Sequence, residues 1–263
     1  MKRKKRIKKD RTRRGRGIYV LPNLLTSFNL FFGFYAAVAA INQKFVAAAV
    51  AILLGVIFDI MDGKVARATN TNSKFGMEYD SLADLMTFGL APGLMIYLWA
   101  LKPLGRIGWL GAFLFLACGA LRLARFNAQG QSSSPYFTGL PIPAAAGMSA
   151  STVLLFHRID FSPYPLAMLI LLYSLSFLMV STIPFKTFKD VELFHKMKFN
   201  VLVAAILLMI FIAALPSIAL FTIGAAYILS GLFNAFRLHL KPKSELLELP
   251  VEDDEKALPV HQK

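Results

Sequence analysis

Residues 45–68 read FVAAAVAILLGVIFDIMDGKVARA: an apolar run that closes on Asp59, Asp62 and Gly63 and then on the cations Lys64 and Arg67. A helix needs about 20 apolar residues to cross some 30 Å of hydrocarbon. A carboxylate at that depth costs a few kcal/mol, so it faces a bundle interior or a polar cavity and marks function. The stretch therefore predicts a membrane-crossing helix whose last turns carry chemistry.

The rest of the chain agrees. Over 263 residues, 56% are hydrophobic and the mean hydropathy is +0.56, above the soluble range. The expected architecture is all-α: a polytopic bundle of about eight spans, at 24–41, 45–68, 82–101, 109–123, 143–156, 165–183, 201–215 and 218–236. Short connections imply antiparallel neighbours. A basic start before an apolar stretch also mimics a cleavable signal peptide. The length of the first span and its polar residues Asn23, Thr26, Ser27 and Asn29 favour a retained helix.

Charge sets the expected orientation, because Lys and Arg accumulate in short cytoplasmic segments. With both termini inside, 25 of the 29 Lys and Arg fall on the cytoplasmic side, leaving Lys44, Lys102, Arg106 and Arg158 opposite. Three regions follow: a basic cytoplasmic arm (1–17), a transmembrane catalytic domain (18–240) and an acidic, disordered cytoplasmic tail (241–263). The net charge of +14 is mostly topological. The arm suits anionic membrane lipid; no basic folded module accompanies it, so no nucleic acid is expected. The single cysteine, Cys118, can form neither an internal disulfide nor a thiolate site. None of the four histidines has a partner at metal-ligand spacing.

Beyond residue 68 the acidic pattern continues with Gly76, Asp80 and Asp84. Asp59 and Asp62 are spaced i, i+3, and Asp80 and Asp84 i, i+4, so each pair shares a helix face. Two antiparallel helices joined by a short turn bring those faces together at the cytoplasmic boundary, with Asp80 and Asp84 at the start of the third span. Four converging carboxylates without basic partners repel strongly in low dielectric, and divalent cations resolve the conflict. Oxygen-only ligands select hard ions, Mg2+ or Mn2+, and four Asp suit two ions clamping phosphate oxygens. Gly63, Ala66 and Gly76 leave room for a ligand, and Arg67 offers a planar fork to phosphate. Taken singly, each Asp reads equally as a helix cap and each Gly as helix packing; the joint spacing carries the argument.

Asp59 to Asp84 match D-x2-D-G-x2-A-R-x8-G-x3-D-x3-D throughout, and the chain thereby resembles the CDP-alcohol phosphatidyltransferase family. That resemblance implies a transfer in which an alcohol displaces CMP from a CDP-linked lipid. Asp59, Asp62 and Asp80 would be metal ligands, Asp84 a ligand or the general base, and Gly63, Ala66 and Arg67 the residues that contact CDP. The segments 80–84 with 88–92, 120–127 and 137–146, and Pro22, Asn23, Thr26 and Asn29 in the first helix, are similar to the family's serine-using membrane branch. Tyr79 and Thr87 depart from it, standing where Leu and Ser are expected. The implied substrates are CDP-diacylglycerol and L-serine, with Asn23, Thr26 and Gly76 beside the nucleotide. A homodimer in a bacterial or archaeal inner membrane is implied too, its site facing the cytoplasm.

Other residues keep two readings. Arg122 and Arg125, spaced i, i+3, bind a phosphate or the acceptor carboxylate, or are positive-inside anchors. Asn127 contacts the acceptor amine or caps a helix, and Ser81 belongs with it on the acceptor side. Lys186 holds an anionic headgroup or snorkels. Glycerol 3-phosphate, inositol phosphate and choline are rival acceptors; the phosphorylated ones call for more basic residues near the site than Arg122 and Arg125. A cation transporter would also bury aspartates; release of CMP separates the two.

Overall fold

The computed structural model describes residues 20–69, 73–129, 136–186, 210 and 214–240. The basic arm 1–17, the tail 241–263 and all of the expected span 201–215 except residues 210, 214 and 215 lie outside them. The described elements run α1 (Val20–Ile41), α2 (Phe45–Ala68), α3 (Lys74–Leu104), α4 (Arg106–Gln129), β1 (Tyr136–Thr138), α5 (Ile142–Arg158), α6 (Pro165–Val180), β2 (Pro184–Lys186) and α7 (Pro216–Leu240). Each expected span other than 201–215 has a helix, but among the described residues only α1, α2, α3, α4 and α7 are long and apolar enough to cross a membrane. The chain is an integral membrane protein.

The other two helices are short for physical reasons. At 16 residues α6 spans about 24 Å; it ends at Val180 rather than at 183 because Ser181 turns the chain extended into β2. Within α5 the buried hydroxyls of Ser149, Ser151 and Thr152 bond back to carbonyls of their own helix, Ala145 or Met148. A helix whose polar groups are satisfied internally can sit inside the bundle.

Small residues set how closely the helices approach. Ala36, Ala39 and Ala40 of α1 and Ala48, Ala49 and Ala51 of α2 are buried together, and among the described residues no other pair of helices packs as extensively. Against this pair α3 lays its middle, where Leu85–Leu90 forms a π-helical turn in which the Ala91 N–H reaches the Met86 carbonyl. Thr87, on that turn, is fully buried and donates to the Asn29 carbonyl of α1 at 2.9 Å. A Cβ on Gly33 or Gly55 would overlap Thr87. Both glycines are therefore the space that Thr87 fills, and this departure from the family pattern is a packing element.

A small antiparallel β pair is an addition to the all-α expectation: Phe137 pairs with Phe185, flanked by Tyr136 with Lys186 and Thr138 with Pro184. It gathers the connection before α5 onto the end of α6. Phe185 is fully buried with its ring against Gly231 of α7 and 5.6 Å from that of Tyr227, so β2 also seats α7.

Candidate active site

The third helix begins earlier than its apolar run. Its N-cap is Ser73, whose hydroxyl accepts the Gly76 N–H at 2.9 Å. Asp84 consequently lies about 15 Å along α3 and is buried, rather than standing on the first turn of a span that starts at 82. The hydrophobic run underestimates this helix because Lys74–Asp84 is polar on one side, which hydropathy cannot distinguish from a loop.

Across from it, α2 presents Asp59 and Asp62. Oxygens of Asp59, Asp62 and Asp80 lie within 4.8 Å of one another. Asp84 is close enough to feel the charges of all three. One Asp80 oxygen, Oδ1, is buried without a hydrogen-bond partner among the described residues. A clustered carboxylate set with an unpartnered buried oxygen fits a hard divalent cation.

The first helix braces both acidic helices. From α1 the Thr26 hydroxyl lies 3.0 Å from Asp62 Oδ2 and 3.1 Å from the Pro22 carbonyl, and the Asn29 amide donates to Asp84 Oδ1 at 2.9 Å. Thr26 and Asn29 are one turn apart on the same face, so one stripe of α1 touches one carboxylate from each neighbour. Thr26 thus meets Asp62 directly. In the sequence Asn29 stood out as a polar residue in an apolar span and by its likeness to the family's first helix, but nothing there pointed to Asp84 as its partner. At the same end of the helix the Ser27 hydroxyl is 2.9 Å from the Tyr79 hydroxyl, a contact that Leu could not make.

The residues expected beside the nucleotide differ in the space they leave. A Cβ on Gly63 would meet nothing within 4 Å, whereas one on Gly76 would come within 3.1 Å of the Ser73 hydroxyl and 3.5 Å of Asn23 Oδ1. Gly63 borders open volume, and Gly76 sits against the α3 cap and Asn23. Arg67 Nε donates to the Gly63 carbonyl at 2.9 Å, folding the guanidinium back along α2.

The two arginines of α4 differ. Arg122 is buried, feels the charge of Asp84, and its Nε has no hydrogen-bond partner among the described residues. Arg125 instead donates to the carbonyls of Val180 and Thr138 at 3.1 Å, with Ser181 and Met179 at 3.4 and 3.5 Å. It caps the C-terminus of α6, where a cation is favoured. Gly139, at φ +81°, lies so close that a Cβ would come within 3.0 Å of the Arg125 guanidinium. The Asn127 amide donates to the Ser81 hydroxyl at 3.0 Å, which joins the end of α4 to α3. Lys186 closes β2; its side chain lies outside the described part.

This geometry coincides with a sequence match: residues 19–180 fit the model of the CDP-alcohol phosphatidyltransferase family, which covers the cluster and every helix from α1 to α6. The chain belongs to the CDP-alcohol phosphatidyltransferase family. It is 39% identical over 227 residues to a CDP-diacylglycerol–serine O-phosphatidyltransferase of Helicobacter pylori (strain ATCC 700392 / 26695), covering 85% of this chain and 94% of the relative. A Bacillus subtilis (strain 168) protein of the same name is 40% identical over 169 residues, 64% of this chain and 91% of the relative. An archaetidylserine synthase of Methanothermobacter thermautotrophicus is 37% identical over 167 residues, 63% and 69% of the two chains.

Proposed function

We propose that this protein transfers the phosphatidyl group of CDP-diacylglycerol to the hydroxyl of L-serine, giving phosphatidylserine and CMP. The observation that carries the reading is the convergence of Asp59, Asp62 and Asp80 on one point, with Asp84 beside them, in a family member whose relatives are named for this reaction.

Asp59, Asp62 and Asp80, with Asp84 completing the set, would hold Mg2+ or Mn2+, two ions in our reading. When bound, the ions neutralise phosphate oxygens and stabilise the charge that develops as the phosphoryl bond is exchanged. The nucleotide lies along the open side of α2, over Gly63 and Ala66, with Arg67, Gly76, Asn23 and Thr26 around it. Arg122, whose buried Nε lacks a partner among the described residues, receives the serine carboxylate. Asn127, Ser81, Lys186 and Arg125 lie on the acceptor side, Arg125 acting through the backbone it holds.

Asp84 takes the proton from the serine hydroxyl. The serine oxygen forms a bond to the β-phosphorus, the one that carries the diacylglycerol; the bond from that phosphorus to the oxygen bridging to CMP breaks, and CMP departs with the electron pair. Displacement is direct in this reading: the motif holds no His, and its two serines are engaged structurally, Ser73 as the cap of α3 and Ser81 with the Met77 carbonyl and Asn127.

In the membrane we read eight spans with both termini inside, so that the site opens to the cytoplasm and laterally to lipid. The division into arm (1–17), catalytic domain (18–240) and tail (241–263) follows, with the homodimer as working unit and anionic lipid beside the arm. The test supplies purified protein in detergent with CDP-diacylglycerol, Mg2+ or Mn2+, and either serine, glycerol 3-phosphate, inositol phosphate or choline. Phosphatidylserine and an equal amount of CMP are expected with serine alone. Another acceptor used in preference, or no lipid product with serine, overturns the assignment.

A further inference from the structure

Asn29 is fully buried in α1, and its two amide atoms have unequal fates. Nδ2 donates to Asp84 Oδ1 at 2.9 Å. Oδ1 of Asn29 has no hydrogen-bond partner among the described residues and faces Gly55, where a Cβ would come within 3.2 Å of it. The orientation is fixed by chemistry, since only the NH2 end can donate to a carboxylate. A buried carbonyl left without a donor carries a desolvation cost. Leucine, of similar size and apolar, would avoid that cost. What asparagine supplies instead is a rigid donor aimed at one carboxylate oxygen.

The rigidity comes from the surroundings. The Asn29 backbone carbonyl accepts the Thr87 hydroxyl, and Thr87 stands one turn after Asp84 on α3. Two hydrogen bonds from one residue of α1 therefore bracket a single turn of α3. Asp84 Oδ1 is engaged by Asn29, while Oδ2 lies outside that bond.

We propose that Asn29 is a positioning residue for the transfer step: by holding Asp84 Oδ1 it fixes the rotation of the carboxylate so that Oδ2 is the oxygen that meets the acceptor hydroxyl. The inference rests on the reading of Asp84 as proton acceptor. A positioning role differs from packing in what it changes. It lowers the rate of transfer without weakening the nucleotide, and its loss does not matter once Asp84 cannot accept a proton.

The test uses the full-length protein in detergent with Asn29→Leu and Asn29→Ala, each alone and combined with Asp84→Asn. Single-turnover rates are normalised to the fraction of protein that binds CDP in the presence of Mg2+, so loss of folded protein does not register as loss of rate. Each Asn29 variant alone is expected to lower the turnover rate about tenfold or more, with the CDP dissociation constant and the KM for CDP-diacylglycerol within about threefold of the parent. In the Asp84→Asn background the same change should cost less than about twofold. Equal losses in both backgrounds, CDP binding that weakens as much as the rate, or an unchanged rate in both variants each overturn the proposal. Failure of the parent protein to make phosphatidylserine from serine is a separate outcome and refutes the function reading instead.

Discussion

Asp59 and Asp84 are both aspartates of one cluster, yet their settings differ enough to separate their roles. Asp59 groups with Asp62 and Asp80 at metal-ligand distance, while Asp84 is buried beside them and held by Asn29. Asp84→Asn keeps size and one oxygen of ligating type but removes charge and basicity. It should still bind CDP with Mg2+ while transfer falls about 10²-fold or more, as loss of a general base does. Asp59→Asn should weaken metal and CDP binding along with rate. Calorimetric CDP binding beside single-turnover rates distinguishes them; near-normal transfer by Asp84→Asn removes it from the mechanism. Arg122 and Arg125 separate in the same way. Arg122→Ala should raise the KM for serine more than that for CDP-diacylglycerol, whereas Arg125→Ala should lower thermal stability in detergent and affect both substrates alike, because its donors hold the end of α6. A serine KM unmoved by Arg122→Ala returns that residue to a topological role.

Between elements, the decisive contact is the seat of the α3 π turn between α1 and α2. Gly55 leaves room for the Thr87 methyl, and a Cβ there would come within 2.5 Å of it. Gly55→Ala should therefore destabilise the protein by about 1–3 kcal/mol through overpacking. Thr87→Ser removes that methyl while keeping the hydroxyl that reaches the Asn29 carbonyl. Added to Gly55→Ala, it should restore part of the lost stability, a coupling that thermal denaturation of the two singles and the double reads directly. Purely additive losses would mean that the helices relax apart instead. Gly55 does not stand out in sequence, and Thr87 does so only as a departure from the expected Ser; nothing local pairs the two.

For the whole molecule, the carboxylate cluster predicts that transfer is lost in excess chelator and returns with Mg2+ or Mn2+, while helix content by circular dichroism barely changes. Full turnover with metal verifiably absent would refute the metal-assisted reading. Helices, their order and the acidic motif were legible along the chain, because hydropathy and i, i+3 or i, i+4 spacing are local and survive in one dimension. Helix limits were less so: α3 starts at Lys74, eight residues before its apolar run, since a polar first segment capped by Ser73 looks like a loop to hydropathy. The pairing of β1 with β2, the Arg125 clasp on α6, and the stripe of α1 that sends Thr26 to Asp62 and Asn29 to Asp84 were not legible at all. Each joins residues 36 to 56 positions apart. Which side chains meet at that separation depends on the rotation and depth at which helices pack, and no local pattern encodes it. The chemistry was thus written in the spacing of four aspartates, whereas the hold on two of them, Asp62 and Asp84, came from the way α1 lies against α2 and α3.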